Sequence, residues 1–227
     1  MIQHAQIIQQ PQPTAVQLIL LFHGFGGDTE SMLPLGEQLA KAFPQAMVVA
    51  VTAHQPAESG RGFQWFKVSD ITDENRPDRV AQAMPAFEAS ITHWQAHAGV
   101  TAEATALVGF SQGAIMALEA TQRATPLASR VFAISGRYAT LPSVAPGETM
   151  VHFLHGKADS VVPYSHTVDA AHTLRDLGGD ITAEVLPFIG HEVHADFMTL
   201  VVSKLGSHLP RRLWDEALKA SAESPAR

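Results

Sequence analysis

The sequence predicts an α/β fold: a mostly parallel central sheet with helices on both faces and no large cap domain. Three observations predict it. The apolar runs over 16–22 and 46–51 are almost unbroken, as expected of strands buried on both faces. Longer stretches between such runs carry apolar residues at helical spacing. Strands and helices also alternate along the chain, which builds parallel β-α-β units rather than a sandwich or a bundle.

Taken in order, 16–22 reads as the first buried strand. Residues 29–43 read as a helix closed by Pro44; Pro34 lies inside this stretch, and a start at that proline is the alternative. Residues 46–51 form a second strand. Residues 54–71 read as a loop, being rich in Gly, Pro, Ser and aromatic residues. A helix over 76–97 places Val80, Met84, Phe87, Ile91 and Trp94 on one face, with Gly99 ending it and Pro85 as a source of a kink. A short strand at 105–108 leads through a glycine-rich turn to a helix near 114–123, which lacks Gly and Pro. Strands follow at 130–134 and 149–154, a helix at 165–177 closed by Gly178-Gly179, a strand at 181–186 and a helix near 193–205. No repeat or linker divides the chain. The expectation is one domain over 1–227 with its core over about 16–206, and a frayed tail at 220–227.

Composition narrows the function. The 227 residues are 46% hydrophobic, enough for a sizeable core. A net charge of −7, with no basic cluster beyond the Arg211-Arg212 pair, argues against nucleic acid. The absence of cysteine removes disulfides, thiolate metal sites and a cysteine nucleophile, and suits a reducing compartment. Residues 1–13 carry no Lys or Arg and no apolar core, so they do not read as a secretory signal. No apolar run approaches the 18 residues of a membrane span, so no stable membrane insertion is expected. The expected protein is soluble, cytoplasmic, and a monomer or homodimer.

The chemistry centres on Gly109-Phe110-Ser111-Gln112-Gly113. In a Gly-x-Ser-x-Gly elbow the backbone turns sharply from strand to helix and lifts the serine clear of the sheet. A glycine-rich loop with a solvated serine would match the same five residues. The flanking context decides against it, because a short apolar strand enters and a helix-forming stretch leaves. The Gln112 N–H then lies at a helix N-terminus, where it can receive negative charge.

A serine hydroxyl needs a base, and the base needs an orienting acid. In α/β-hydrolases the chain order is Ser, then Asp or Glu, then His. Among 12 histidines His191 fits, since it sits in Phe188-Ile189-Gly190-His191 just after the last strand. Gly190 is expected to make that turn possible. His194 is the competitor, but it should begin the next helix and be carried away. His4, His54, His93, His97, His166, His172 and His208 read as solvated surface residues. Asp159 fits the acid, on the loop after the strand at 149–154; Asp169 and Asp176 lie within a helix, and Asp180 lies beside a Gly-Gly turn. A second oxyanion donor is expected after the first buried strand, in His23-Gly24-Phe25-Gly26-Gly27, with the Phe25 N–H as candidate. A phosphate-binding loop is the weaker reading there, for want of a Gly-Lys-Ser/Thr ending.

These motifs, with Trp65-Phe66, His155-Gly156 and Val162-Pro163, resemble the phospholipase/carboxylesterase family, which includes acyl-protein thioesterases and small bacterial esterases. The resemblance spans about 16–206. It implies an α/β-hydrolase fold, a triad of Ser111, Asp159 and His191, and an oxyanion hole of Phe25 and Gln112. Two positions depart from it: Gly27 is inserted before Asp28, and Lys67 stands where many members have Asp. Trp65 and Phe66 are candidates for a wall of the substrate pocket, with core packing as the alternative. The implied reaction is cleavage of a small-molecule carboxylic ester through an acyl-enzyme intermediate, calling for neither metal nor cofactor. Thioester cleavage on acyl-proteins or acyl-coenzyme A is the rival within enzymes. A non-catalytic binding protein on the same scaffold is the rival outside them.

Overall fold

The computed structural model describes residues 5–207. The strands are β1 (Ala5–Gln9), β2 (Gln17–Phe22), β3 (Ala46–Val51), β4 (Gln55–Pro56), β5 (Phe63–Gln64), β6 (Thr105–Phe110), β7 (Arg130–Ile134), β8 (Met150–Gly156) and β9 (Ile181–Leu186). The helices are α1 (Leu33–Ala42), α2 (Arg76–Ala98), α3 (Gln112–Ala120), α4 (Ser165–Asp176) and α5 (Ala195–Ser207). Seven strands form one sheet in the order β1-β3-β2-β6-β7-β8-β9. Only β1 runs antiparallel, against β3; the other neighbours are parallel.

Strand alternation sorts the core into two layers. In β2, Leu18, Leu20 and Phe22 face one way, joined by Val80, Met84, Phe87 and Ile91 of α2, Met116 and Leu118 of α3, and Leu174 of α4. Ile19 and Leu21 face the other way, joined by Leu35 and Leu39 of α1 and by Phe197 and Val201 of α5. Helices thus cover both faces, and each fully buried side chain of this size contributes about 1.5–3 kcal/mol. Phe22 and Phe87 pack with ring centroids 4.4 Å apart at the middle of the first layer.

The order also fixes where a site can form. From β2 the chain goes outward to β3 on one side and later returns to β6 on the other, so the winding reverses between β2 and β6. The carboxyl ends at such a reversal leave a crevice. Parallel register brings Phe22 level with Gly109, so the loops leaving β2 and β6 emerge side by side.

Several elements differ from expectation. Residues 29–43 split into a 3-10 turn at Glu30–Met32 and α1, with Pro34 in the first turn of the helix, where its missing N–H costs nothing. Pro85 lies within α2 without ending it. The loop at 54–71 contains the β4–β5 hairpin. Strand β6 runs two residues beyond 108, and α3 begins at Gln112 rather than 114. The N-terminal strand β1 was not expected at all. The expected tail at 220–227, together with His4, His208 and the Arg211-Arg212 pair, lies outside the described residues.

Candidate active site

Ser111 joins β6 to α3 with φ 52° and ψ −115°, a conformation that non-glycine residues rarely adopt. The surroundings impose it. The Ser111 N–H donates to the Ile134 carbonyl at 2.9 Å, and its carbonyl accepts from the Ile115 N–H at 3.0 Å. At Gly113 any Cβ would stand 2.3 Å from the Phe22 carbonyl oxygen, so only glycine lets α3 start this close to β2.

The structure brings the serine, histidine and aspartate together from three separate loops. The Ser111 hydroxyl donates to Nε2 of His191 at 2.9 Å. Nδ1–H of His191 donates to Oδ2 of Asp159 at 2.8 Å. The Phe110 ring lies beside the imidazole, 4.9 Å between centroids. Asp159 is buried, and its Oδ1 accepts from the Val161 and Val162 N–H groups, both at 2.9 Å. Burial pushes its carboxyl up, but the bonds from His191, Val162 and Val161 outweigh this and hold it below the usual carboxylate value. It is therefore an anion near neutral pH, with one oxygen tied to the backbone and the other left for the imidazole.

The turn that presents His191 is not made by Gly190. A Cβ there would meet nothing, whereas at Gly156, the last residue of β8, it would stand 2.2 Å from the Ile189 carbonyl oxygen. The left-handed residue of the turn is Phe188, φ 64°, whose side chain is almost fully exposed. His194 immediately precedes α5; its Nδ1 accepts from the Asp196 N–H at 3.2 Å.

Both expected oxyanion donors line the same cleft as Ser111. As the first residue of α3, Gln112 has no helical carbonyl four residues back to receive its N–H. Phe25 follows Gly24, where a Cβ would lie 3.1 Å from Cβ of Ser111, so this loop touches the elbow. The neighbouring N–H groups are spent elsewhere: Gly26 donates to Phe63 and Gly27 to Gly24. The extra Gly27 also accepts from the Phe63 N–H at 2.8 Å, tying the loop to the β4–β5 hairpin.

The two aromatic candidates separate. Trp65 is fully buried, its indole N–H donating to the His23 carbonyl at 2.8 Å and its ring packed on Phe22 and Phe87. Phe66 lines the Ser111 cleft, with Val68, Ile71, Ile115, Val161 and Val162; Trp65 does not. Lys67 lies on a different cleft, beside Trp65. The Gln112 side chain binds this segment to the elbow. Its Oε1 accepts from the Trp65 N–H and its Nε2 donates to the Phe66 carbonyl, both at 2.7 Å.

Three histidines carry roles that their sequence context hid. His155 is buried behind Asp159: Nε2–H donates to the Val162 carbonyl at 2.8 Å and lies 3.3 Å from Oδ2 of Asp159, while Nδ1 accepts from the Thr167 hydroxyl at 2.8 Å. Burial depresses its pKa, so it stays neutral. His23 is wired likewise, Nδ1–H to the Gly24 carbonyl at 2.7 Å and Nε2 accepting from Ala53 at 3.0 Å. His166 is not a solvated surface residue; it lines the cleft with Arg76 and Arg137. Among the described residues no cluster of three or more His, Asp or Glu is arranged to hold a metal ion.

Comparison with known proteins agrees with the fold. The family model for phospholipases and carboxylesterases matches residues 3–209. Esterase YpfH of Escherichia coli is 42% identical over 212 residues, 93% of this chain and 91% of that one. Acyl-protein thioesterase 1 of Gibberella zeae is 29% identical over 120 residues, 49% of this chain and 51% of that one. The crystal structure of esterase PE8 superposes with a TM-score of 0.83 at 27% identity, covering 91% of this chain and 99% of that one. The chain belongs to the phospholipase/carboxylesterase family, and it is an esterase of the α/β-hydrolase fold.

Proposed function

We propose that Ser111 is the nucleophile of this esterase, His191 its base, Asp159 the group that orients the base, and the Phe25 and Gln112 N–H groups its oxyanion hole. The observation that carries the reading is the continuous hydrogen-bond chain from Ser111 through Nε2 and Nδ1 of His191 to Asp159. Ser111 attacks the ester carbonyl as its proton passes to Nε2. The imidazolium is stabilised by the Asp159 carboxylate, and the negative carbonyl oxygen is held by the two N–H groups. Collapse of the tetrahedral intermediate expels the alcohol, which takes the proton from Nε2 and leaves an acyl-serine. A water, deprotonated by His191, then releases the acid. Phe66 forms part of the wall against which the substrate lies.

Every step uses groups of the chain itself, acting as one domain on a small-molecule ester in the cytoplasm. A thioester would use the same groups, and the thioesterase similarity covers only half of the chain, so carboxylic ester cleavage is the primary reading. Ser111→Ala should fold normally and lose activity by at least about a thousandfold on a short-chain ester. A fluorophosphonate probe should label Ser111 in the wild type. Activity within a few-fold of wild type, or an adduct mapped to another serine, refutes the assignment.

A further inference from the structure

The cleft beside Ser111 has a volume of about 350 Å³ and an unusual chemical division. Phe66, Val68, Ile71, Ile115, Val161 and Val162 make most of it apolar. Arg76, Arg137 and His166 make one side of it basic. The proposed mechanism uses none of these three residues.

The basic side is undercompensated. Arg76 and Arg137 are mostly buried, with side chains 18% and 17% exposed. They share one carboxylate, Asp73, which reaches in from solvent and is itself 70% exposed. Arg137 donates to Asp73 at 3.0 Å, but Nη2 of Arg76 stands 3.7 Å away, beyond hydrogen-bond distance. Nε of Arg76 is buried and has no hydrogen-bond partner among the described residues. His166 cannot offset the charge, because its Nε2 accepts from Nη1 of Arg137 at 3.2 Å and the ring is therefore neutral. Asp169 acts on His166 only at a distance and from an exposed position. The sum is two cations, one anion and a neutral imidazole.

Each feature costs the fold stability. Two guanidiniums lie close enough for Arg137 to weaken the hold of Arg76 on its proton, after burial itself. Arg76 is also the first residue of the 23-residue α2, where the helix dipole disfavours a cation. Buried charge that is poorly paired and strained against its own helix reads as a site awaiting an anion.

From this arrangement, and on the reading of Ser111 as nucleophile, we infer that the enzyme selects esters bearing a free carboxylate a few bonds from the scissile carbonyl. The carboxylate lies against Arg76 and Arg137 while the intervening methylenes lie on the apolar wall. A guanidinium fork matches the planar carboxylate in geometry, and the single excess positive charge matches one carboxylate rather than a dianionic phosphate. Arg76 and Arg137 are thus specificity-determining residues. The other side of the Phe25 loop opens on a second cleft, lined by Pro34, Phe110, Val193 and Met198, that suits the uncharged half of the ester.

The test is a pH-stat measurement of kcat/KM on two matched pairs at fixed ionic strength. Monoethyl glutarate against ethyl hexanoate places the carboxylate on the acyl side. 4-Acetoxybutyrate against pentyl acetate places it on the alcohol side. The charged member of one pair should be preferred by about 10-fold or more, and which pair it is tells which half of the ester occupies the cleft. Arg76→Gln and Arg137→Gln should each lower kcat/KM on that ester, mainly through KM, by about 10-fold more than on its neutral partner. Preference for the neutral ester in both pairs, or equal losses on charged and neutral esters, overturns the inference. The wild-type comparison decides even where a variant fails to fold. A protein that takes the fluorophosphonate on Ser111 yet ignores substrate charge refutes this inference alone. One that neither reacts with the probe nor cleaves any ester refutes the Ser111 reading and this inference with it.

Discussion

Asp159 has one oxygen committed to the backbone, and that fixes which histidine it can serve. With Oδ1 taken by the Val161 and Val162 N–H groups, Oδ2 faces Nδ1 of His191, and His155 fills the remaining space behind it. His194 is bound into a different local arrangement, its Nδ1 accepting from the Asp196 N–H. His191→Ala should therefore lower kcat/KM by at least about a thousandfold, and His194→Ala should stay within a few-fold of wild type. Circular dichroism would check folding; equal losses would leave the base unassigned, and a reversed pattern would move it to His194. The order Ser, Asp, His made these residues legible, because each stands directly after a strand that the apolar runs mark. Trp65 and Phe66 were not separable in the same way. Both are buried in the same core layer, and only the packing of distant segments around them decides that Phe66 alone lines the Ser111 cleft. His155 and His166 were hidden for a similar reason, since their partners lie on other elements: Val162 and Thr167 for one, Arg137 for the other.

The elements that were read to the residue are β3, β7 and β9, apolar or alternating runs bounded by turn residues. The strand that escaped, β1, is a short edge strand without clean alternation, and its pairing with β3 shifts register between Ile7 and Gln9. Its existence depends on a partner distant in sequence, which local pattern cannot supply. The loop that carries His191 gives a sharper case. The sequence points to Gly190 as the residue that shapes this turn, yet the close approach occurs at Gly156, across the gap between β8 and the loop. The segment rests directly on the backbone at the end of β8: the Ala158 N–H donates to the Ile189 carbonyl at 2.9 Å. Gly156→Ala should push the loop outward, destabilise the protein by about 1–3 kcal/mol and lower kcat/KM by about 100-fold through misplacement of the imidazole. Gly190→Ala, with open space at the new Cβ, should remain close to wild type in both. Urea denaturation and ester kinetics on the two variants check this, and a larger loss at Gly190 would return the role to it.

For the whole molecule, the site is bracketed by two buried neutral histidines, and this makes its stability depend on pH. His23 supports the loop that carries Phe25, and His155 supports the loop that carries Asp159. Each ring donates through one nitrogen and accepts through the other, so neither can take a second proton without losing a bond. Burial depresses both pKa values below the usual histidine value. In the unfolded chain the same groups titrate near about 6.5. Between that value and the depressed folded value the unfolded state binds more protons, so the stability present above about pH 6.5 is lost as pH falls. Glu119 works in the opposite direction. Burial raises its pKa despite the bond from the Ala139 N–H, so over its own window the folded state binds more protons and gains stability as pH falls. His54 and His166 are also held below the usual histidine value by burial and act with His23 and His155. It is the unfolded histidines that take up protons between pH 7.5 and 5.5, so the urea midpoint should be lower at pH 5.5 than at pH 7.5. Glu119→Gln keeps an acceptor for Ala139 but removes the opposing titration, so it should deepen that drop. Equal midpoints at the two pH values in wild type would show that the buried rings accept protons without cost. A drop left unchanged by Glu119→Gln would show that this carboxyl does not offset them.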